Sequence, residues 1–244
     1  MLRADARARR VIAVTTWPPF VNRKTINVIP TITAFKWVPT FARGFVRDIR
    51  VRWALEEAGQ AYAVDCVDGV YVKSQAHRHF QPFGQIPTYR DDNVEIFESG
   101  AIVLHVCETN GVLMPADPAA RIRAVQWLIA ALNSVEPWVM QLAVVDVFEA
   151  DRDWSRPRRS KVLDDLHARL KDLSDALGEK PTLDGGAFTC GDLVMVSVLG
   201  GLRGTGVVDA HPNLAAYVAR GEARPAHRKA MSDHLAAFDD SAVA

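Results

Sequence analysis

Two short stretches hold the residues whose types and spacing could do chemistry. One is Phe83-Gly84-Gln85-Ile86-Pro87-Thr88-Tyr89, a turn that feeds a short strand through a proline. The other is Phe97-Glu98-Ser99-Gly100-Ala101-Ile102, a strand end that flips into a helix with an acid and a hydroxyl at the flip. A proline at a strand start donates no ladder hydrogen bond, so it belongs at an edge. If the Ile86–Pro87 bond is cis, the Ile86 amide and carbonyl face outward and can pair with an extended peptide by strand addition. Taken alone, the pair is an ordinary trans loop proline, because cis bonds occur at only about 5–6% of X–Pro sites. Ser99 opens a helix, where free amides and the positive dipole end suit a carboxylate. Its hydroxyl adds a donor, and Glu98 can accept from an ammonium group, so together they suit an α-amino acid. Taken alone, Ser99 is equally a helix cap.

These stretches need elements to hold them. Residues 31–37 alternate and are rich in β-branched and aromatic types, which predicts a strand. A loop with Pro39 and Gly44 follows, then a helix from 45 or 46 that stops at Ala58-Gly59. Residues 61–67 read as a second strand with Tyr62, Val64 and Cys66 on one face, and 70–80 as a short helical segment. Residues 86–90 and 94–97 form a hairpin around Asp91-Asp92-Asn93, and a helix runs from 99 to about 108. The order is β-α-β-α-β-β-α.

Residues 109–117 carry Gly111 and Pro115 without periodicity and mark a boundary. Asp117-Pro118 starts a helix, with an acid as cap and proline at the first position. Everything beyond reads as helical. Ile122, Val125, Ile129 and Leu132 make one apolar stripe, and Pro137 kinks or restarts that helix. Val162, Leu166, Leu170, Leu173 and Leu177 make another, ending at Gly178. Thr189 and Asp192 are spaced as a capping box, with Phe188 and Leu193 outside it as a staple. The helix they start, 193–202, is apolar on nearly all sides and should be central. Two last helices cover 212–218 and 225–238.

Composition bounds the reading. A chain of 244 residues, 49% hydrophobic and 24% charged, can bury a substantial core. Zero formal net charge argues against a nucleic-acid binder. The cysteines, Cys66, Cys107 and Cys190, are odd in number and lack C-x-x-C, so neither a disulfide framework nor a metal cluster is indicated, and a reducing cytoplasm fits. Cys66 and Cys107 read as buried, inert thiols, and His77-x-His79 as solvated surface; no histidine shows metal spacing. The longest apolar run, 193–202, is short of the roughly 20 residues a membrane span needs, so no membrane partner is expected. Residues 1–29 are a basic arm with a single acid, Asp5, expected to be a poorly ordered extension or a mis-assigned start rather than a targeting segment.

In tandem, within this strand order, the two stretches resemble the glutathione transferase superfamily. Pro82-Phe83-Gly84-Gln85-Ile86-Pro87-Thr88 and Phe97-Glu98-Ser99-Gly100-Ala101-Ile102 carry the likeness. Arg50-Val51-Arg52-Trp53-Ala54-Leu55-Glu56-Glu57-Ala58-Gly59 is similar to that family's first helix, and Phe188-Thr189-x-x-Asp192 to the capping box of its helical domain. The resemblance covers roughly residues 31–238. It implies a thioredoxin-like α/β domain over 30–110, a linker over 111–118 and an all-helical domain over 119–244. It implies glutathione as co-substrate, paired with Ile86 beside Pro87, its γ-glutamyl carboxylate at Ser99, its amino group at Glu98, and Gln85 assisting. No metal is expected. A homodimer is implied, as is a small hydrophobic electrophile in a pocket to which Trp127, Asn133, Glu136, Trp138 or Met140 contribute.

The catalytic position departs from the family pattern. Members place Tyr, Ser or Cys after the first strand, where it lowers the pKa of the glutathione thiol. Residues 37–48 contain none of these. Thr40 is the only hydroxyl there, and Arg43 and Arg47 could favour the thiolate electrostatically. Thr40 is otherwise a plain loop threonine, and Arg47 otherwise a surface charge or a partner of Asp48. The leading expectation is a glutathione transferase. The alternatives are a non-catalytic glutathione-binding or interaction protein of the same fold, or a glutathione-dependent isomerase, peroxidase or dehalogenase, among which fold does not choose.

Overall fold

The computed structural model describes residues 29–239. The expected N-terminal arm therefore lies outside the described residues, save Ile29. Strands β1 (Thr31–Phe35), β2 (Ala63–Val67), β3 (Thr88–Arg90) and β4 (Glu95–Phe97) form a mixed sheet in the order β2-β1-β3-β4. β1 pairs parallel to β2 with Ile32 opposite Val64, and antiparallel to β3 with Ile32 opposite Tyr89. The β3–β4 hairpin turns where Asp91 Oδ1 accepts from the amides of Asn93 and Val94, at 2.7 and 2.9 Å, the local bonding that makes Asp a turn former.

β2 is an edge strand, and Cys66 is exposed on it, contrary to the burial expected from its place in a strand. Alternation says which residues share a face; it does not say whether anything covers that face. Cys107 and Cys190 are buried, and burial pushes the Cys190 thiol up to about 12 and that of Cys107 higher still.

Helix α1 (Asp48–Glu57) joins β1 to β2. A single 3-10 turn, Tyr71–Lys73, precedes α2 (Gln75–Phe80), and α3 (Ser99–Asn110) follows β4. Together with the sheet they make the thioredoxin-like domain. The helical domain comprises α4 (Pro118–Ala130), α5 (Glu136–Ala143), α6 (Ser155–Leu177), α7 (Cys190–Gly200), α8 (Pro212–Glu222) and α9 (Pro225–Ala236). α7 is buried on nearly every side. The stripe Val162, Leu166, Leu170, Leu173 and Leu177 is buried along α6.

The α4 stripe behaves differently. Ile122 and Ile129 are 64% and 49% exposed, while Ala124 and Leu128 are buried. The cause lies on α7. A Cβ on Gly191 would stand 2.7 Å from the Ala124 carbonyl oxygen and from the Trp127 Cβ, so α4 meets α7 backbone to backbone. Close approach selects the small-residue face and leaves the large isoleucines outside.

Pro137 does restart its helix. Without an N–H it cannot continue the regular ladder. The chain widens into a π turn, Ala131–Val135, where the Glu136 amide bonds to the Ala131 carbonyl, and α5 begins at Glu136. A second π turn, Val144–Phe148, closes α5. The whole stretch Pro118–Phe148 is long and apolar enough to cross a membrane. It packs against α7 and α6, and its acids Glu136 and Asp146 pair with Arg50 and Arg159.

The two domains share one continuous core in which Ile32, Trp53, Ile102, Leu128 and Leu193 all take part. α1 packs most extensively on α9. Trp53 Nε1 donates to Glu57 at 2.9 Å, and Arg224 of the α8–α9 corner grips Glu57 with two bonds of 2.6 and 2.7 Å. The same guanidinium lies 4.3 Å over the Phe188 ring.

Asp192 is fully buried at the α7 start. It accepts from the amides of Leu183 and Thr189, from Thr189 Oγ1 and from Tyr217 Oη, each at 2.9 Å. Asp192→Ala leaves those donors without a partner and should cost about 3–5 kcal/mol. The measurement is the shift in denaturant midpoint at unchanged slope, and a loss below about 1 kcal/mol would contradict a hub role.

Candidate functional site

The turn before β3 is held from within. Gln81 Oε1 accepts from the Gln85 amide at 3.1 Å, and the Gln85 carbonyl meets His77 Nε2 at 2.7 Å. His77 is buried, and its own amide donates to Ser74 Oγ, the cap of α2. It is thus a strut of the turn rather than solvated surface, whereas His79 is exposed. Gly84 has φ of +63°, and a Cβ there would stand 2.9 Å from the Val72 carbonyl oxygen. The Ile86–Pro87 peptide bond is cis. Among the described residues neither the amide nor the carbonyl of Ile86 makes a backbone hydrogen bond. The Ile86 side chain packs with Val67 and Val72.

Glu98 is exposed, with φ of 71°, a left-handed conformation rare outside glycine. It ends β4 and turns the chain so that Ser99 starts α3. Ser99 is buried, and its Oγ accepts from Arg50 Nη1 at 3.3 Å.

Arg50 leads to the centre of the site. Its guanidinium is buried and bonds to Glu136 through Nη2 at 3.0 Å and Nη1 at 3.3 Å. Arg47, one turn earlier on the same face, donates from Nε to the same carboxylate at 2.8 Å. Burial pulls the Arg50 guanidinium below its ordinary value, and Glu136 offsets part of that. Burial pushes Glu136 upward, but Arg50 and then Arg47 outweigh it and hold the carboxyl below the usual glutamate value. Two cations and one anion leave one positive charge in excess.

This cluster floors a cavity of about 490 Å³. Gln85 and Ile86 lie on one side of it, and Phe41, Phe45, Met140 and Phe148 form apolar wall. Of the residues predicted for the electrophile side, Glu136 and Met140 line it; Trp127, Asn133 and Trp138 do not. Of those predicted at the thiol, Arg47 lines it. Thr40 is exposed in a 3-10 turn, Thr40–Ala42, outside the lining, and Arg43 is also outside it, 5.3 Å over the Phe238 ring. Arg47 pairs with Glu136 rather than with the adjacent Asp48. Among the described residues no group of three His, Cys, Asp or Glu is placed to hold a metal.

The missed participant is Arg50. Its spacing of three from Arg47 was a readable signal that both share a helix face. What burial did to it was not readable, because its partners come from α3, α5 and α7.

Glu136 gives the cluster an acid dependence. A carboxyl held below its unfolded value contributes stability above that value, 4.5, and loses it as pH falls through the lower folded value. Glu136→Gln should lower stability at neutral pH by about 3 kcal/mol, since Arg50 stays buried and unpaired. Its deficit should shrink as pH is taken from about 5 to about 3. Thermal unfolding against pH measures this, and a constant gap would contradict the ionised pair.

Comparison with known proteins agrees with this architecture. Residues 49–112 match the family model "Glutathione S-transferase, N-terminal domain", and residues 145–220 match "Glutathione S-transferase, C-terminal domain". A glutathione S-transferase of Hyoscyamus muticus is 30% identical over 166 residues, spanning 62% of this chain and 75% of its own. Glutathione S-transferase APIC of Nicotiana tabacum is 30% identical over 184 residues, spanning 69% and 83%. Among solved structures, a glutathione transferase family member from Pseudomonas fluorescens, with two glutathione bound, superposes with a TM-score of 0.74 at 20% identity, covering 83% of this chain and 92% of that one. One from Burkholderia graminis, with two glutathione molecules bound per subunit, gives 0.74 at 22% identity, covering 84% and 88%. Both domain models match in chain order, and two curated relatives align over at least three quarters of their length. The chain belongs to the glutathione S-transferase family.

Proposed function

We propose that this protein binds glutathione along the Ile86 edge and the Glu98–Ser99 corner and activates its thiol for attack on a small hydrophobic electrophile. The observation that carries the reading is that one cavity brings together the unpaired backbone edge at Ile86 and the Arg47–Arg50–Glu136 cluster in an apolar space. Ser99, buried at the α3 start, lies outside the lining and is tied to the cluster through its bond from Arg50. Glutathione pairs with Ile86 beside Pro87, with Gln85 at its flank. Its γ-glutamyl carboxylate meets Ser99 and the α3 amides, and its ammonium meets Glu98.

Thiol activation falls to Arg47 in this reading, because Arg47 lines the same cavity as Gln85 and Ile86. The excess positive charge favours the thiolate, and the proton leaves to solvent. The sulfur then forms a bond to an electrophilic carbon, and the leaving group departs with its electron pair. Thr40 and Arg43 are weaker candidates, since neither borders the cavity. The absence of Tyr, Ser and Cys from residues 37–48 keeps a non-catalytic glutathione binder as the second reading.

The same proposal places the protein in a reducing cytoplasm and makes it a homodimer. The dimer is supported by the exposed Ile122 and Ile129 of α4 and by Phe83, 64% exposed beside the glutathione edge. Ile122→Glu should shift the hydrodynamic mass toward the monomer, read by light scattering; a wild type that is already monomeric sinks this part.

Calorimetry with glutathione tests the core of the reading. Ser99→Ala should weaken binding by about 1–3 kcal/mol, for loss of a hydrogen bond to a charged group. Arg47→Met should leave affinity nearly intact and raise the pKa of the bound thiol, read by thiolate absorbance, while lowering turnover with an activated aryl halide by roughly 10- to 100-fold. No heat at millimolar glutathione removes both readings. Binding without thiol activation in the wild type selects the binder.

A further inference from the structure

The segment that carries Arg47 is a short turn, residues 44–48, between β1 and α1. Its inner residues Phe45, Val46 and Arg47 all line the cavity. Both ends of this turn bond to one side chain from the far end of the chain. The Gly44 amide donates to His234 Nε2 at 3.2 Å, and His234 Nδ1 donates to Asp48 Oδ2 at 3.1 Å. A backbone amide can only donate, so Nε2 is the acceptor and Nδ1 carries the hydrogen. Asp48 is anchored in turn by Arg52 Nε at 2.8 Å, and Asp48, Arg52 and His234 are all buried. Gly44 has φ of +84° and lies against Met231 of α9, whose Sδ would be 3.5 Å from a Cβ there.

We propose that His234 is a positioning residue for the thiol-activating turn: one neutral imidazole holds both ends of residues 44–48 and so fixes where Arg47 faces the cavity. The inference rests on the glutathione reading above for its kinetic arm, and on geometry alone for its structural arm. His234 touches none of Ile86, Glu98 or Ser99, so it governs activation rather than affinity.

Two variants divide the imidazole into its halves. His234→Asn keeps an amide near the Nδ1 position, toward Asp48, and loses the acceptor for Gly44. His234→Gln reaches the Nε2 position and restores that acceptor, while Arg52 still holds Asp48 at the other end. The expected result is a kcat about 10- to 100-fold lower in His234→Asn with the glutathione KM changed less than about 3-fold, and a His234→Gln kcat within about 5-fold of wild type. Amide hydrogen exchange over residues 40–48 should rise in His234→Asn and not in His234→Gln. Equal kcat values in both variants, or a loss confined to KM, overturn the proposal. If His234→Asn does not fold, nitrogen NMR of the wild-type imidazole decides, since an Nε2–H tautomer is incompatible with the Gly44 bond. Calorimetry on the wild type separates the two ideas. Absent glutathione binding removes the functional reading and leaves the exchange and tautomer results standing, whereas binding with thiol activation and unchanged variants removes only the role of His234.

Discussion

An arginine side chain that is only 5% exposed needs a carboxylate, and the Arg50–Glu136 pair is the constraint around which the site is built. α1 supplies one partner and α5 the other, so the pair spans the two domains. Replacing such a pair by apolar residues is often neutral for stability, which makes it a poor source of net folding energy. What it supplies is position. Unpaired, either charge would cost several kcal/mol, so the domains dock where the two groups meet. Arg47 joins the same carboxylate, and Ser99 is tied to the same guanidinium. The corner that suits an amino acid and the cationic floor of the cavity are thereby parts of one hydrogen-bonded unit.

The helical stretch that delivers Glu136 shows how a local defect is put to use. A π turn rotates everything beyond it relative to a regular helix, and such turns concentrate at functional sites. Here the first ends at Glu136 and the second spans Val144–Phe148, where Phe148 reaches the cavity wall. Pro137 is a sequence-level reason for the first. Nothing local accounts for the second.

Much of the fold was legible because its signals are local. The strands and α3 followed from alternation and periodicity, the hairpin from Asp91, the α7 start from Thr189 and Asp192, and α6 from its leucine stripe. The Glu98–Ser99 corner was legible for the same reason: backbone reversal and helix start sit within two residues. What escaped depends on partners distant in sequence. Ile122 and Ile129 match a helical stripe perfectly well, yet Gly191 on another helix turned α4 the other way. Cys66 alternates correctly, yet it sits at the exposed part of an edge strand. His77 stands among polar residues but answers to a carbonyl eight positions on. His234 could not be read from the sequence, because its side-chain hydrogen bonds go to partners 186 and 190 residues earlier.

That last separation bears on how the molecule is made. α9 packs on α1, His227 meets Trp53 edge to face with ring centroids 4.6 Å apart, and the Asp239 amide bonds to the Lys36 carbonyl at 2.8 Å. The sheet and first helix leave the ribosome early, and domains tend to fold in the order they emerge. The turn holding Arg47 nevertheless stays without its fasteners until the last helix arrives. A chain being synthesised therefore has the Ile86 edge and the Glu98–Ser99 corner well before it has the helix whose His234 bonds to both ends of the turn carrying Arg47.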